Sequence, residues 1–169
     1  LKVREPFVVR PGEQGEGKPL HKLLGDEPAL IRLKVPAVTI VKAANRVAGA
    51  QAAIAAGCDT IILDDGFQAV ALEREANNLL IDATSPFGNG YLLPRGMLRE
   101  PIEAAARATK IFLTRCDQAR DIEKTEAMLR KVAPHAPITR TRHQPVSLWN
   151  LKTQERVPLE WLNGRVVQP

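Results

Sequence analysis

The alternation of short apolar runs with helix-patterned stretches constrains this chain more than any other feature. Five runs read as strands: Pro36–Val41, Thr60–Leu63, Leu79–Asp82, Lys110–Thr114 and Pro137–Thr141. They are short and rich in β-branched and aliphatic residues, as strands buried on both faces are. Between them lie an Ala-rich stretch at 46–56 closed by Gly57, a second helical stretch at 99–108 and a third at 118–132. The third carries Ile122, Met128, Leu129 and Val132 among charges, the pattern of an amphipathic helix. This alternation predicts an α/β fold: a doubly wound, mostly parallel sheet with flanking helices.

The 169 residues suffice for one α/β domain with a real core. Residues 1–25 are rich in Gly, Pro and charge, most of all at Pro11–Pro19, and read as a flexible lead-in loop. Residues 26–145 read as the core. Residues 146–169 read as a connection towards a second domain, with Arg165–Pro169 as the opening of a strand. Asp26-Glu27-Pro28 has the form of a helix start, with Asp26 as N-cap and Pro28 in the first turn.

Several function classes drop out. No run of about 18 apolar residues is present, so nothing here is read as a membrane-spanning helix. The net charge of +5 favours an anionic partner, but aromatics make up only 4% and the basic residues are scattered. A stacking platform for nucleic acid is therefore not expected. Cys58 and Cys116 lie far apart without a CxxC partner and read as buried, reduced thiols. His21, His135 and His143 have no second ligand at helical spacing, so no zinc site is expected. No GxSxG is present to support a nucleophilic hydrolase.

Three places carry possible chemistry. Asp64 and Asp65 follow the apolar run Ile61-Ile62-Leu63, where the carboxyl end of a parallel strand would face a ligand. A carboxylate there suits Mg²⁺ in a phosphoryl transferase, and equally suits a simple turn. Arg95 and Arg99 flank Gly96 beside a helix start whose N–H groups suit an anion. A local ion pair at a surface loop is the other reading. Asp26 before a helix, and Arg46 at the unfavourable positive end of the next, complete the set.

Taken together, the ordered motifs resemble a known family. Asp64-Asp65-Gly66-Phe67-Gln68, Leu72-Glu73-Arg74, Phe87-Gly88-Asn89-Gly90, Leu92-Leu93-Pro94 and Leu98-Arg99-Glu100-Pro101 follow the order and spacing of tetraacyldisaccharide 4'-kinases. Gly25-Asp26-Glu27-Pro28, Arg46, Arg4–Val9 and Gly164–Val167 also fit. The resemblance covers nearly the whole chain. It implies a P-loop-kinase-like fold and Mg²⁺-dependent transfer of the ATP γ-phosphate to the 4'-hydroxyl of a lipid A disaccharide 1-phosphate. It implies work at an anionic membrane surface, on the cytoplasmic face of a Gram-negative-type inner membrane. Oligomeric state is left open.

By the resemblance, Asp26 is the general base or orients the acceptor hydroxyl, and Arg46 steadies phosphate charge. Asp64 and Asp65 occupy the Mg²⁺ region, Gln68 lies near the nucleotide or the acceptor, and Gln68 and Arg99 are the expected cofactor-binding residues. The chain departs from the family at Ala69, where a His is usual, at Arg74-Glu75 in place of Arg-Asp, and at Arg95-Gly96-Met97 in place of Ala-Gly-Pro. No GxxxxGK[ST] occurs in these residues. The chain is therefore expected to be a central piece of such an enzyme with very little activity alone. The alternative is a non-catalytic α/β module that binds a nucleotide or sugar phosphate.

Overall fold

The computed structural model describes residues 5–13, 19–150, 152–153 and 155–165. Two compact units emerge, Leu1–Glu75 and Ala76–Pro169. The expected mobile stretch at Pro11–Pro19 and the expected strand opening at Arg165–Pro169 fall largely outside the described residues.

In the first unit, β1 (Phe7–Val9) pairs antiparallel with β2 (Ile40–Lys42), in the register Phe7↔Lys42 to Val9↔Ile40. Helices α1 (Leu20–Leu24), α2 (Asp26–Lys34) and α3 (Arg46–Ala55) complete it. β1 and α1 both fall in the stretch read as a lead-in loop. The break between α1 and α2 is Gly25, whose φ of 100° lies where side chains other than hydrogen are strained. Asp26 is therefore the first residue of α2 and not its N-cap, and Glu27 and Pro28 share its first turn. At the other end of α2 the buried Arg32 donates to the carbonyls of Arg10 and Val38 at 3.0 Å each, and to that of Pro36. One guanidinium thus ties β1, the exit from α2 and the approach to β2.

α3 opens on Asn45, whose side-chain oxygen accepts from the N–H groups of Val47 (2.9 Å) and Ala48 (3.2 Å). The strand expected at Thr60–Leu63 does not form. Ile62 is 91% exposed, and the segment leads into a turn. A strand exists only by pairing, and among the described residues of this unit the paired strands are β1 and β2. The expected strand at Pro36–Val41 likewise shrinks to β2, in an antiparallel pair.

The second unit holds the parallel sheet. β3 (Asn78–Asp82), β4 (Lys110–Thr114) and β5 (Ile138–Arg140) lie side by side in that order, all parallel. Central β4 contributes the fully buried Ile111 and Leu113. α4 (Ile122–Val132) crosses from β4 to β5 and buries Leu129 and Thr125. Its N-cap is Asp121, whose carboxylate accepts from the Lys124 N–H at 3.0 Å. The helix expected at 99–108 is a 3₁₀ segment, Ile102–Arg107, steadied by an ion pair between Arg107 and Glu100. A short hairpin, β6 (Leu148–Trp149) with β7 (Arg156–Val157), lies inside the stretch read as a connection. The α/β class and the parallel sheet with flanking helices are as expected of a P-loop-kinase-like fold. Among the described residues the parallel part is three strands.

Candidate functional site

The first unit carries five of the six expected site residues. Asp26 sits exposed in the first turn of α2. The N-terminal end of the helix dipole favours its charge. Among the described residues it has no hydrogen-bond or ion-pair partner, so its carboxylate is available to a proton donor. Arg46 opens α3 and is exposed, with one guanidinium nitrogen donating to the Ala43 carbonyl at 3.0 Å. Asn45 already occupies two N–H groups of that helix end, so an anion arriving there would meet chiefly the remaining guanidinium donors of Arg46.

Asp64 and Asp65 lie on a turn and not on the end of a strand, because the Thr60–Leu63 strand is absent. Both are exposed, and Asp65 has a left-handed backbone with φ of 47°. That conformation is tolerated by Asp and otherwise concentrates in turns and functional sites. The turn is anchored at Gly66, which is buried. Its carbonyl accepts from the Ala69 N–H at 2.9 Å and from the guanidinium of Arg74. Leu72 N–H to Ala69 carbonyl, 3.2 Å, continues the chain of turns. Gln68 is exposed on the same turn, with its carbonyl accepting from Val70 N–H at 2.9 Å. Ala69 contributes backbone only.

Among the described residues no three His, Cys, Asp or Glu side chains form a ready metal cage. Mg²⁺ does not need one, since one or two carboxylates with waters and substrate phosphates suffice. Two adjacent exposed carboxylates on an anchored turn fit that requirement.

The second unit carries Arg99. It follows a tight turn in which Leu93 N–H meets Leu98 carbonyl at 3.0 Å and Gly96 N–H meets Leu92 carbonyl at 2.9 Å. Arg95, its companion in the sequence, stacks on the Tyr91 ring at 3.7 Å. The helix start expected beside them is the six-residue 3₁₀ segment, which weakens the case for an anion site made of helix N–H groups.

Sequence reasoning missed a polar cluster at the carboxyl ends of β3 and β4. One Asp82 oxygen accepts from the Thr84 hydroxyl at 2.7 Å and the Thr84 N–H at 3.0 Å. Arg115, left-handed with φ of 55°, reaches Asp82 at 3.3 Å and the Thr84 hydroxyl at 2.9 Å. The two Thr84 hydrogen bonds, then the charges of Arg115 and His143, hold the Asp82 carboxyl below its ordinary 3.8. Beside this cluster lies a cavity of about 240 Å³, lined by Thr84, Phe87, Arg120, Lys124 and Met128 among others. Ligands of parallel sheets collect at this edge. The available signal was an Asp closing one strand and an Arg just past the next.

Comparisons with known proteins converge. The family described as Tetraacyldisaccharide-1-P 4'-kinase matches residues 2–167. A Tetraacyldisaccharide 4'-kinase of Anaeromyxobacter dehalogenans (strain 2CP-C) is 40% identical over 146 residues, which is 85% of this chain and 38% of that protein. A protein of the same name from Syntrophobacter fumaroxidans is 40% identical over 130 residues, 76% of this chain and 34% of the relative. One from Desulfatibacillum aliphaticivorans is 46% identical over 95 residues, covering 56% and 26%. The chain thus spans well under half the length of these relatives. No solved structure matches it significantly. The match over residues 2–167 places the chain in the Tetraacyldisaccharide-1-P 4'-kinase family.

Proposed function

We propose that this chain carries the acceptor-activating and metal-holding part of an ATP-dependent kinase that phosphorylates the 4'-hydroxyl of a tetraacyldisaccharide 1-phosphate in lipid A biosynthesis. The family match over residues 2–167 is the observation that carries the reading. The exposed Asp26, without a partner among the described residues, and the anchored Asp64-Asp65 turn support it.

In this reading Asp26 accepts the proton of the acceptor hydroxyl, or orients that hydroxyl. A positioned carboxylate base contributes on the order of 10²–10⁴-fold. Arg46 offers guanidinium donors to phosphate oxygens, and Asp64 and Asp65 hold Mg²⁺ through one or both carboxylates. Bound Mg²⁺ would neutralise charge on the transferring phosphoryl group. Gln68 and Arg99 contact the nucleotide. Little covalent chemistry falls to the protein, so positioning and charge neutralisation supply most of the rate. Work takes place at the cytoplasmic face of an inner membrane, where the net charge of +5 favours anionic lipid. Among the described residues no helix is long and apolar enough to cross a membrane.

The test is Mg²⁺-ATP-dependent phosphorylation of a lipid A disaccharide 1-phosphate by the complete reading frame that encodes this chain, beside Asp26→Asn. The parent transfers phosphate, and the variant loses about 10²-fold or more of kcat. A parent that is inert with ATP and acceptor both saturating overturns the reading in favour of a binding module. A variant as active as the parent removes Asp26 from the mechanism.

A further inference from the structure

We infer that Arg74 is the positioning residue of the metal-binding turn, acting on Asp64 and Asp65 through the backbone carbonyl of Gly66. The inference rests on the proposed role of those carboxylates in holding Mg²⁺.

The turn has no strand beneath it. A carboxylate pair at the end of a paired strand is held by the ladder, but the Thr60–Leu63 segment is unpaired and Ile62 is 91% exposed. Something else must fix the direction of the two side chains. A long-range hydrogen bond reaches the backbone of the turn. The Arg74 guanidinium donates to the Gly66 carbonyl across eight residues. That carbonyl immediately follows the Asp64-Asp65 pair, and it also accepts from the Ala69 N–H. Gly66 is buried and Arg74 is half-buried, so the bond is shielded from competing water. A charged donor on a shielded carbonyl is stronger than a neutral pair.

The choice of arginine follows from its reach and its charge. Its planar fork stays protonated and can hold one carbonyl while other N–H groups face elsewhere. Lysine offers a single flexible ammonium and glutamine a weaker neutral donor. Arg74 touches neither metal nor substrate in this account. Outer partners that orient a metal ligand typically cost on the order of 10–100-fold in metal affinity or activity when removed.

The experiment uses the complete protein and four forms: parent, Arg74→Gln, Arg74→Lys and the double variant Asp64→Asn/Asp65→Asn. Mn²⁺ binding is read by titration calorimetry, and the Mg²⁺ concentration for half-maximal phosphate transfer is read in parallel. Hydrogen exchange of residues 64–72 reports the turn itself. The inference expects Arg74→Gln to weaken Mn²⁺ binding and raise the Mg²⁺ requirement by about 10-fold or more, with the KM for the lipid acceptor unchanged. Arg74→Lys should lie between, and exchange at Ala69 should quicken in both.

A folded Arg74→Gln with parental Mn²⁺ affinity overturns the inference, as does lost thermal stability with unaltered metal response. If Arg74→Gln does not fold, Arg74→Lys decides by the same readouts. Failure of the underlying reading looks different: the Asp64→Asn/Asp65→Asn variant would then bind Mn²⁺ and respond to Mg²⁺ as the parent does.

Discussion

Replacing Gly66 by alanine should displace the turn that carries Asp64 and Asp65. A Cβ built on Gly66 would lie 2.5 Å from the Leu63 Cβ, 3.3 Å from its Cδ1 and 3.4 Å from the Leu63 carbonyl oxygen. Carbon atoms in contact prefer about 3.5–4.0 Å. The overlap is with an atom fixed to the backbone, so no change of Leu63 rotamer relieves it. Overpacking of this kind costs about 1–3 kcal/mol. Alanine also narrows the unfolded ensemble, which offsets about 0.4–1 kcal/mol. The net expectation is a loss of about 1–2 kcal/mol. Urea denaturation followed by circular dichroism measures it, with an unchanged slope as the sign that stability alone moved. Leu63→Ala retains the offending Cβ and should not rescue Gly66→Ala, whereas Leu63→Gly should. A Gly66→Ala protein as stable as its parent, with an unaltered Mg²⁺ requirement, would refute the claim that crowding at Leu63 shapes this turn.

Two further outcomes concern the second unit. Leu129 on α4 is fully buried, and Leu129→Ala should cost about 2–5 kcal/mol by denaturant unfolding, with slow-exchanging amides of β4 losing protection. Glu126 accepts from Arg140 at 2.7 Å, which, with the nearby Arg130 charge, holds its carboxyl below the ordinary 4.5. A carboxyl lowered in the folded state stabilises fully above its unfolded value and loses that contribution as pH falls through the folded one. Thermal midpoints should therefore fall as the pH drops below 4.5, and Arg140→Leu should flatten that limb while lowering the midpoint at neutral pH slightly. An acid limb identical in the two proteins would count against the pair.

The parallel sheet was legible because two independent signals agreed there. β3 and β4 are apolar runs of the right length, and the amphipathic α4 that crosses from β4 to β5 buries Leu129 where its pattern placed the apolar face. Elsewhere one signal stood alone. Ile61-Ile62-Leu63 is as apolar as any strand, but hydrophobicity does not supply a hydrogen-bonding neighbour, and the run stays unpaired. β1 is three residues long, too short for a pattern of its own, and shows itself only when β2 lies against it. Arg32 reads as a surface charge in a helix, yet it is buried because three backbone carbonyls converge on its guanidinium. Convergence of groups distant in sequence leaves no spacing to find.

At the site, residue type and the support that arranges it are likewise separate. Asp64 and Asp65 were legible as types, since adjacent carboxylates beside a glycine suit a cation whatever lies beneath them. Their support was not legible. A strand end was the natural inference from the apolar run, and the structure replaces it with a tether from Arg74 to the Gly66 carbonyl and close packing of Gly66 on Leu63. The two supports make different demands on substitution. A strand end tolerates any residue that keeps the ladder, so Arg74 would be free to vary. A tethered turn requires a long cationic donor at position 74 and no side chain at position 66, while position 75 is free to exchange Asp for Glu. Arg74-Glu75 is a combination that the tether permits. Exchanging Glu75 for Asp should accordingly leave the turn undisturbed, while exchanging Arg74 should not.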